Sequence, residues 1–449
     1  MNGTPSVLWF RRDLRFGDHP ALAKAAARGP VLGLFVIDPA LMQPAGMPRR
    51  AFLIRTLHDM DAHLRSRGAQ LVIRQGNPEE VVPEVVRRIK AAEVHVTADY
   101  GPYGVARDQR VAAALGSVPF VKTGSPYAVS PHRLLTKSGQ TYRVFTPYFR
   151  AWRQHGWPAP ASSDPKRVEW IGADSDSLPS EAPLPPDMVL PPAGEDAARQ
   201  AWRRFRANAL SRYADQRDRP DLDATSRLSP YLHFGLLHPR SLLADVGPDA
   251  ERFVTELAWR EFYAAVLWNW PESARTSFDA RMSGLAVEEG PEADDLFEAW
   301  AEGRTGYPII DAGMRQLKVE AWMHNRVRML VASFLVKDLH LDWRRGARHF
   351  MHHLVDGDLA SNQHGWQWVA GTGTDAAPYF RIFNPVTQSK RFDPSGDYIR
   401  RWIPELRSLP TRYVHEPWRS PSLQDYGRPI VDHDEERRRS LAAYESLRG

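Results

Sequence analysis

The sequence contains no cysteine among its 449 residues, and this absence excludes several kinds of site. Without thiols the chain holds no disulfide framework, no thiolate nucleophile, no iron–sulfur cluster and no zinc site built on cysteine ligands. It also lacks a secretory leader at its N-terminus and any apolar run long enough to cross a membrane. We therefore expect a cytoplasmic protein with no membrane partner.

A large net charge is missing too, because 59 basic and 54 acidic side chains leave only +5 at pH 7. The charge is nevertheless uneven: residues 1–150 hold 21 basic and 11 acidic side chains, and residues 315–419 hold 16 and 10. Basic segments attract phosphates, although such a segment is more often a solvated surface. Tryptophan is abundant, and nine of the 15 indoles lie between Trp259 and Trp402, which indicates core packing, stacking or redox work.

Residues 6–125 alternate between strand-like and helix-like segments, which predicts a doubly wound parallel α/β sheet of Rossmann-like type. The glycine fingerprint of dinucleotide-binding domains is absent after the first strand, where the chain reads Phe10-Arg11-Arg12-Asp13-Leu14-Arg15. Asn77 and Pro78 suit the cap and first position of the third helix. The predicted strands cover residues 6–10, 31–37, 70–73 and 93–96, and the predicted helices cover residues 21–28, 51–67 and 79–92.

Nine prolines and little periodicity between residues 155 and 195 are typical of a connector rather than of a core. From about Ala197 the apolar residues recur at helical spacing, most clearly over residues 253–268, 309–319 and 322–339. We predict three parts, which are an α/β domain over residues 1–150, an interdomain linker over 151–196 and a larger all-α domain over 197–449.

Two motifs have both a functional and an ordinary structural interpretation. Residues 223–230 place three hydroxyls and Arg227 before a helix, as either a phosphate site or a plain capping loop would. His349 and His353 are spaced i, i+4, which metal ligands often are, but the glutamate of the zinc-protease motif is missing. Helical histidines more often pack or form hydrogen bonds.

Polar and aromatic residues share one face of the helix predicted around residue 260. An acid, an indole, a guanidinium and a phenol recur there at i, i+3, i+4 and i+7, so the face is either a salt-bridged surface or the lining of a wet pocket. Further on, Asn325 and Met329 lie four residues apart on one side of another helix. The residues of the first face are Glu256, Trp259, Arg260 and Tyr263.

The densest segment runs from Asp356 to Asp375 and combines acids, amides and indoles in what we predict to be a glycine-rich loop. Carboxylates bind ribose or ring N–H groups and indoles stack, so the segment suits recognition of a flat heteroaromatic ligand.

Taken together, these segments resemble the signature blocks of the DNA photolyase/cryptochrome family, most nearly those of class I cyclobutane pyrimidine dimer photolyases. The blocks stand in the family's order and spacing, and residues 10–15 match its opening strand, so the resemblance spans essentially the whole chain. It implies an N-terminal α/β domain, a long connector and a helical domain that binds FAD in a bent form. The blocks are residues 225–229, 256–263, 322–326 and 356–368.

The cofactor implied by the resemblance is FAD, active as the reduced form FADH−. Asn362 is expected to face flavin N5, since an amide there fits a flavin that is kept reduced. Tyr213 and the loop at residues 225–229 are expected to hold the phosphates, and Asp356 and Asp358 the flavin–ribityl side. The implied FAD-binding residues are Tyr213, Thr225, Ser226, Arg227, Leu228, Ser229, Arg260, Asn325, Asp356, Gly357, Asp358 and Asn362.

The activity implied is light-driven repair of double- or single-stranded DNA that contains a pyrimidine dimer. Excited reduced flavin passes an electron to the flipped-out dimer, the ring bonds break and the electron returns. Glu256 is expected to stabilise the dimer radical anion. Asn325 and Met329 stand where relatives that repair (6-4) photoproducts carry histidine, so the cyclobutane dimer is the predicted substrate. The implied DNA- or lesion-binding residues are Arg217, Glu256, Trp259, Tyr263, Asn325, Arg326, Met329, Trp368, Arg381 and Gln388.

Three tryptophans usually re-reduce oxidised flavin in this family, and the first two match Trp366 and Trp343. The third position is Gly290, which has no side chain to carry an electron hole. Either photoreduction is poor or another aromatic ends the chain, and Trp300 is the predicted outlet, unless it merely packs in the core. Tyr307 and Trp268 are the next candidates for this outlet. The predicted catalytic set is Glu256, Asn325, Asn362, Trp366, Trp343 and Trp300.

A second, antenna chromophore is also implied. Members with a methenyltetrahydrofolate antenna carry Asn-Glu where this chain reads Gly104-Val105, which argues against folate. Residues 34–39 and 102–104 look more like members that bind 8-hydroxy-5-deazaflavin, and an empty site is the third option.

Two rival functions stay open at this point. One is a cryptochrome-type blue-light receptor without repair activity, although the sequence stops soon after the family core. The other is a metal-dependent hydrolase built on the histidines near His349. We further expect a monomer with no obligate protein partner.

Overall fold

The computed structural model describes residues 3–376, 378, 381–421 and 425–447, apart from the side chain of Ser283. Six strands lie in these residues: Ser6–Phe10 (β1), Val31–Ile37 (β2), Val72–Gln75 (β3), Glu93–Val96 (β4), Phe120–Lys122 (β5) and Trp170–Ile171 (β6). They form one parallel sheet in the order β3-β2-β1-β4-β5, and β6 pairs with the start of β2. Both β1 and β2 are buried throughout, as continuous apolar runs in a parallel sheet require.

Helices form most of the remaining elements. In chain order they are Pro20–Ala26 (α1), Pro39–Met42 (α2), Met47–Arg65 (α3), Pro78–Ile89 (α4), Pro102–Ala114 (α5), Phe145–His155 (α6), Glu195–Asn208 (α7), Tyr213–Gln216 (α8), Ser229–Phe234 (α9), Pro239–Asp245 (α10), Glu251–Asn269 (α11), Pro291–Glu302 (α12), Pro308–Glu320 (α13), Asn325–Ser333 (α14), Trp343–His353 (α15), Leu359–Ala370 (α16), Pro385–Phe392 (α17), Asp397–Trp402 (α18), Thr411–Val414 (α19) and His433–Ser446 (α20). The predicted fold class, a doubly wound parallel α/β part followed by an all-α part, is confirmed.

Several local predictions need correction. The strand predicted at residues 70–73 begins two residues later as β3, and β6 lies in the segment predicted to be a plain linker. Asn77 occupies the cap position of α4, but its side chain makes no capping hydrogen bond, so Pro78 alone marks this helix start. The helix predicted over residues 322–339 begins only at Asn325, where the His324 side chain accepts from the Arg326 N–H.

The chain divides into two compact units, and the division differs from the predicted domains. The first, here called the α/β unit, comprises Met1–Leu184, Pro191–Ala207 and Ser226–Pro271. The second, the helical unit, comprises Pro185–Leu190, Asn208–Thr225 and Glu272–Gly449.

Helices α9 to α11 therefore belong with the sheet, although the sequence placed them in the all-α domain. Two features of the α/β unit explain this. The Trp152 indole on α6 donates to Glu261 on α11 at 2.6 Å. Gly235, at φ +71°, ends α9 so close to the chain after β1 that an added Cβ would lie 2.0 Å from the Arg12 carbonyl oxygen.

One large hydrophobic cluster forms the core of the helical unit, and it contains Trp300, Trp343 and Trp366. After α14 the backbone widens into a π-helix at Phe334–Asp338 before the chain turns toward α15. Among the helices formed by the described residues, none combines the length and apolar character that a membrane crossing needs.

Candidate functional site

The predicted polar face of α11 exists within the α/β unit. Glu256, Trp259, Arg260 and Tyr263 are all half-buried on this helix. The Arg260 guanidinium donates to the carbonyl oxygens of Pro126 and Leu232, each at 3.1 Å, so it is fixed to the unit's interior. At Arg260 this face is therefore held by backbone hydrogen bonds rather than being a freely solvated charge.

One side of the Trp259 indole is already covered. The Phe145 ring of α6 stacks on it with a centroid distance of 3.7 Å and an interplanar angle of 7°. Trp259 is thus held parallel to a second aromatic, and the Phe262 and Tyr263 rings also meet it, with centroid distances of 5.6 and 5.4 Å.

Glu261, next to this face, is a residue that sequence analysis missed. Its carboxylate is buried and accepts from the Ala128 N–H at 2.5 Å, the Val129 N–H at 3.0 Å and the Trp152 indole N–H at 2.6 Å. Burial raises the pKa of Glu261 above its ordinary value, against the effect of these three donors. Glu261 fixes α11 to the segment before α6 and so orients the Glu256–Tyr263 face.

The loop at residues 225–229 leads into α9, as predicted. Thr225 and Ser226 are half-buried, while Arg227 and Ser229 are exposed. Arg227 has φ +49°, and the Leu228 N–H points to Ser226 Oγ at 3.4 Å. Hydroxyls and a cation at a short helix start are a donor set that suits phosphate oxygens.

In the helical unit, the carboxylate of Asp356 has one oxygen paired and one unpaired. Arg328 donates to its Oδ2 at 2.8 Å. Among the residues that the structure describes, no group meets its buried Oδ1. A buried unpaired oxygen is costly, so this atom is a ready acceptor for an N–H of a bound ring.

The segment from Asp358 to Trp368 is helical, so the predicted glycine-rich loop is wrong for most of its length. Asp358 caps α16 by accepting from the Ser361 N–H at 3.0 Å, and Gly365 lies inside the helix. Asn362 and Trp366 stand one turn apart on α16, and half-buried Trp368 follows. Gly357, between the two acids, is buried.

Asn325, Arg326 and Met329 lie in the first turns of α14. Asn325 is exposed, and Arg326 and Met329 are half-buried. The Arg326 guanidinium lies 2.8 Å from Asp218 Oδ2 and 4.4 Å from the centre of the Phe392 ring. It is thus already ion-paired within the helical unit.

Asp218 holds a second predicted DNA contact as well. Arg217 Nε lies 3.6 Å from Asp218 Oδ1. Burial opposes the charge of Asp218, but the hydrogen bond and charge of Arg326, helped by Arg217 and His324, lower its pKa below the usual range. Sequence analysis did not single out Asp218, since its partner lies over a hundred residues away.

Three further predicted site residues lie in the helical unit. Tyr213 is half-buried on α8, with the Arg217 guanidinium 5.8 Å from its ring centre. Arg381 is exposed, and its carbonyl accepts from buried Lys337 at 3.1 Å. Gln388 is half-buried on α17.

The tryptophans of the predicted electron chain occupy different environments. Trp366 packs against Gly346, where an added Cβ would lie 2.1 Å from the indole, and its ring centre is 6.1 Å from that of Trp300. Trp300 is completely buried, and its N–H donates to the Val331 carbonyl at 3.0 Å. The Trp343 N–H points to the hydroxyl of half-buried Ser277 at 3.3 Å.

The burial of Trp300 agrees with the alternative in which this indole packs in the core, and its part in electron transfer stays a prediction. An indole enclosed on all sides, with its N–H on a backbone carbonyl, cannot itself meet a solvent reductant. Tyr307 and Trp343 are buried as well, each 5% exposed. Trp268 belongs to the α/β unit, where its ring centre lies 5.5 Å from that of Tyr100.

The histidines near α15 pack with aromatic rings. His349 stacks on His353 at 4.1 Å and meets the Trp300 ring at 5.3 Å. Burial, with His353 and His352 nearby, lowers the pKa of His349 to about 3, so its imidazole is neutral. In the described part of the chain, no three His, Asp or Glu side chains converge in a way that could hold a metal ion.

A run without acidic residues is a further feature that the sequence analysis passed over. Residues 109–163 contain seven lysines and arginines and no aspartate or glutamate. Lys137 and Arg143 are exposed there, the first within the turn closed by the Leu135–Thr141 bridge and the second just after it. The turn leads directly into α6 and Phe145, which stacks on Trp259. A sliding count of charge would have found this run.

Gly104, on which the prediction about the antenna rests, lies in the first turn of α5. Arg107 donates to Asp99 Oδ2 at 3.2 Å and to Asp108 Oδ1 at 2.9 Å. A Cβ at Gly104 would lie 2.1 Å from the same Asp99 Oδ2. A side chain at residue 104 would thus collide with this ion-paired carboxylate.

Comparison with protein-family models finds two matches that together span most of the chain. Residues 6–166 match the DNA photolyase model, and residues 253–446 match the model of the FAD binding domain of DNA photolyase.

Among known proteins, one relative is the deoxyribodipyrimidine photo-lyase of Halobacterium salinarum, 39% identical over 99% of both chains. Among solved structures, a class III photolyase from Agrobacterium tumefaciens is 36% identical with a TM-score of 0.92, covering 100% of this chain and 98% of its own. A cryptochrome from Synechocystis sp. PCC6803 has 27% identity and a TM-score of 0.88, covering 99% and 100%.

Proposed function

Because the chain belongs to the DNA photolyase family, we propose that it is a light-driven lyase that splits cyclobutane pyrimidine dimers in DNA with reduced FAD. The observation that carries the proposal is the buried, unpaired Oδ1 of Asp356 in the helical unit. That atom accepts a hydrogen bond, and a flavin ring supplies N–H donors.

The FAD contacts that we propose lie in the segment from Asp356 into α16 and in the loop at residues 225–229. Asp356 accepts from a ring N–H, Asp358 faces the ribityl side, and Asn362 offers its amide one turn further along α16. Within residues 225–229, the hydroxyls and Arg227 bind the phosphates. When bound and excited by light, reduced FAD supplies the electron that opens the dimer and takes it back afterwards.

For the bound dimer, we assign roles to residues of the α11 face, of α14 and of α16. Glu256 donates to or accepts from the dimer base and stabilises its negative charge, while Trp259 and Trp368 provide apolar walls. Asn325 and Met329 offer no imidazole acid, which is the reason for preferring the cyclobutane dimer to the (6-4) photoproduct. A dimer stacks badly in the duplex, so flipping it out costs less than flipping an intact base.

Blue light plus the purified protein is expected to restore DNA that carries cyclobutane dimers. Glu256→Ala should lower the repair yield about tenfold, because a hydrogen bond to a charged group contributes roughly 1.5–3 kcal/mol. FAD content, read from the visible spectrum, should stay unchanged. Repair is measured by single-turnover illumination with dimer loss as the readout.

The same assay separates the proposed lyase from a light receptor. A cryptochrome-like protein would bind FAD and respond to light yet leave the dimers intact. Wild-type repair at the level of the dark control would therefore overturn the proposed function. Equal repair by wild type and Glu256→Ala would overturn only the role of Glu256.

Binding to the DNA backbone is assigned to basic groups of each unit. In the helical unit these are Arg217, Arg326 and Arg381, and in the α/β unit the acid-free residues 109–163 add positive charge beside the Trp259 face. Three phosphate contacts correspond to a log–log salt slope of about −3 on duplex DNA.

Asp218→Asn is expected to tighten DNA binding. The carboxylate of Asp218 now pairs with Arg326 and Arg217, and its removal releases both guanidinium groups for phosphates. We expect a severalfold higher affinity at low salt and a slope steeper by about one unit. Fluorescence anisotropy over a salt series measures both.

Asp215→Asn is the matched control, since it removes one exposed negative charge from neighbouring α8. An Asp218 variant that binds no tighter than the Asp215 variant would show that Arg217 and Arg326 do not contact phosphate.

For the antenna, we propose 8-hydroxy-5-deazaflavin rather than methenyltetrahydrofolate. The clash at Gly104 supports this choice, because the asparagine of folate-binding members has no room beside Asp99 and Arg107. The absorption spectrum of the chromophore released from purified protein distinguishes the two.

A further inference from the structure

The amide of Asn362 is held in one orientation by two acceptors in the helical unit. Its Nδ2 donates to the Ala347 carbonyl oxygen at 3.0 Å and to Gln363 Oε1 at 2.8 Å. Both amide hydrogens are thereby used. Among the described residues none donates to Asn362 Oδ1, so the amide presents its oxygen as its available group.

The orientation of Gln363 is fixed independently. Its Nε2 donates to the Ala274 carbonyl oxygen at 2.6 Å. A backbone carbonyl can only accept, so the nitrogen of Gln363 must lie there and its oxygen must face Asn362. The same reasoning applies to Asn362 and the Ala347 carbonyl. The nitrogen and oxygen of each amide can therefore be told apart from a backbone carbonyl, and Gln363 Oε1 is the second acceptor that holds the Asn362 amide in this orientation.

We propose that Gln363 is a positioning residue that keeps the oxygen of Asn362 turned outward, so that the site favours reduced over oxidised flavin. This inference rests on the proposed function, in which Asn362 faces flavin N5. Reduced flavin carries a hydrogen on N5, which an amide oxygen can accept. Oxidised flavin has an unprotonated N5, and an oxygen opposite it brings two acceptors together.

A purely structural role for Gln363 must be separated from this one. Gln363 ties α16 to the segment after α11, but Gln367 does the same one turn later. Gln367 donates to the Ser273 carbonyl at 2.7 Å and accepts from the Phe278 N–H at 2.9 Å. Gln367 has no contact with Asn362, so it is the matched control.

His364 also joins α16 to the segment after α11, and it does so without contacting Asn362. Burial lowers the pKa of His364 to about 4, so the ring is neutral. Its Nδ1 donates to the Ala360 carbonyl at 2.7 Å, and its Nε2 accepts from Ser273 Oγ at 3.0 Å. Loss of one tie therefore leaves the segment attached.

The test measures the ratio of reduced to oxidised FAD in the holoenzyme at fixed potential against a reference dye, without DNA or light. Gln363→Met removes the acceptor for Asn362, and the ratio should fall about fivefold, the value of one ordinary hydrogen bond of roughly 1 kcal/mol. Reoxidation in air should accelerate only in the Gln363→Met variant.

Two results would overturn the proposal. One is a Gln363→Met ratio equal to wild type. The other is an equal fall of the reduced-to-oxidised ratio in Gln367→Met, which would show that Gln363 acts only by holding α16 to the segment after α11. Thermal unfolding of both Met variants shows whether the fold survives, and the reduced-to-oxidised ratio is compared between variants that retain it. Wild-type protein without FAD would contradict the proposed function instead, so the two failures are distinguishable.

Discussion

Replacing Trp366 with phenylalanine is expected to abolish most of the light-driven reduction of oxidised FAD. Trp366 lies on α16 one turn beyond Asn362, and Gly346 leaves room for its indole, so it is the indole nearest to the proposed flavin-facing amide along the helix. A phenyl ring fills much of the space but is far harder to oxidise. Steady-state photoreduction with an external thiol, followed in the flavin absorption, measures the loss.

The carrier after Trp366 is expected to be Trp343, as the resemblance implies, and Trp300 is not expected to end the chain. Trp343 lies on α15 three residues before Gly346, on the same helix face, and its N–H meets the hydroxyl of half-buried Ser277. An oxidised indole there can pass its proton toward solvent. The N–H of Trp300 ends on a buried carbonyl, so an electron hole on Trp300 has no such exit.

Trp343→Phe should therefore strongly lower the yield of long-lived reduced flavin, and Trp300→Phe should lower it only slightly. Transient absorption of the tryptophan radical separates the two, with retained FAD as the control for folding. If Trp300→Phe falls as far as Trp366→Phe and Trp343→Phe do, Trp300 ends the chain, as the sequence alone predicted.

Much of the fold could be predicted because its strands are long and apolar. Residues 6–10 and 31–37 are buried on both sides and show no other periodicity, so their type and bounds were clear. β5 and β6 have three and two residues, and β6 lies among prolines, so no pattern marked them. The helix predicted over residues 322–339 is longer than the observed α14. The cap at His324 and the π-helix from Phe334 both leave the apolar spacing intact, so the sequence pattern does not show either boundary.

The candidate site could be predicted where chemistry and spacing coincide within one segment. Asp356, Asp358 and Asn362 lie within seven residues, and the Glu256 face follows from helical spacing alone. Contacts between distant segments could not be found this way. Asp218 meets Arg326, and Trp152 meets Glu261 across 109 residues, which no local pattern reveals.

Glu261→Leu is expected to destabilise the α/β unit by about 3–5 kcal/mol. The leucine leaves the Ala128 and Val129 N–H groups and the Trp152 indole N–H buried without acceptors, each costing roughly 1–3 kcal/mol. The loss is a large share of the 5–15 kcal/mol typical of a domain. Thermal unfolding followed by tryptophan fluorescence should show a midpoint lower by roughly 10 °C.

Glu251→Leu is the matched control, because Glu251 is on the same helix and pairs with Arg153, the neighbour of Trp152, at 2.6 Å. That pair is exposed, and exposed pairs contribute only about 0–1 kcal/mol. Glu261→Gln keeps one acceptor oxygen and should fall between the two. Equal midpoints for Glu251→Leu and Glu261→Leu would mean that α11 is held by its apolar contacts alone. A large gap would mean that the buried carboxylate sets the position of Trp259 and Glu256, and the Glu261 variant should then also lose repair while keeping FAD.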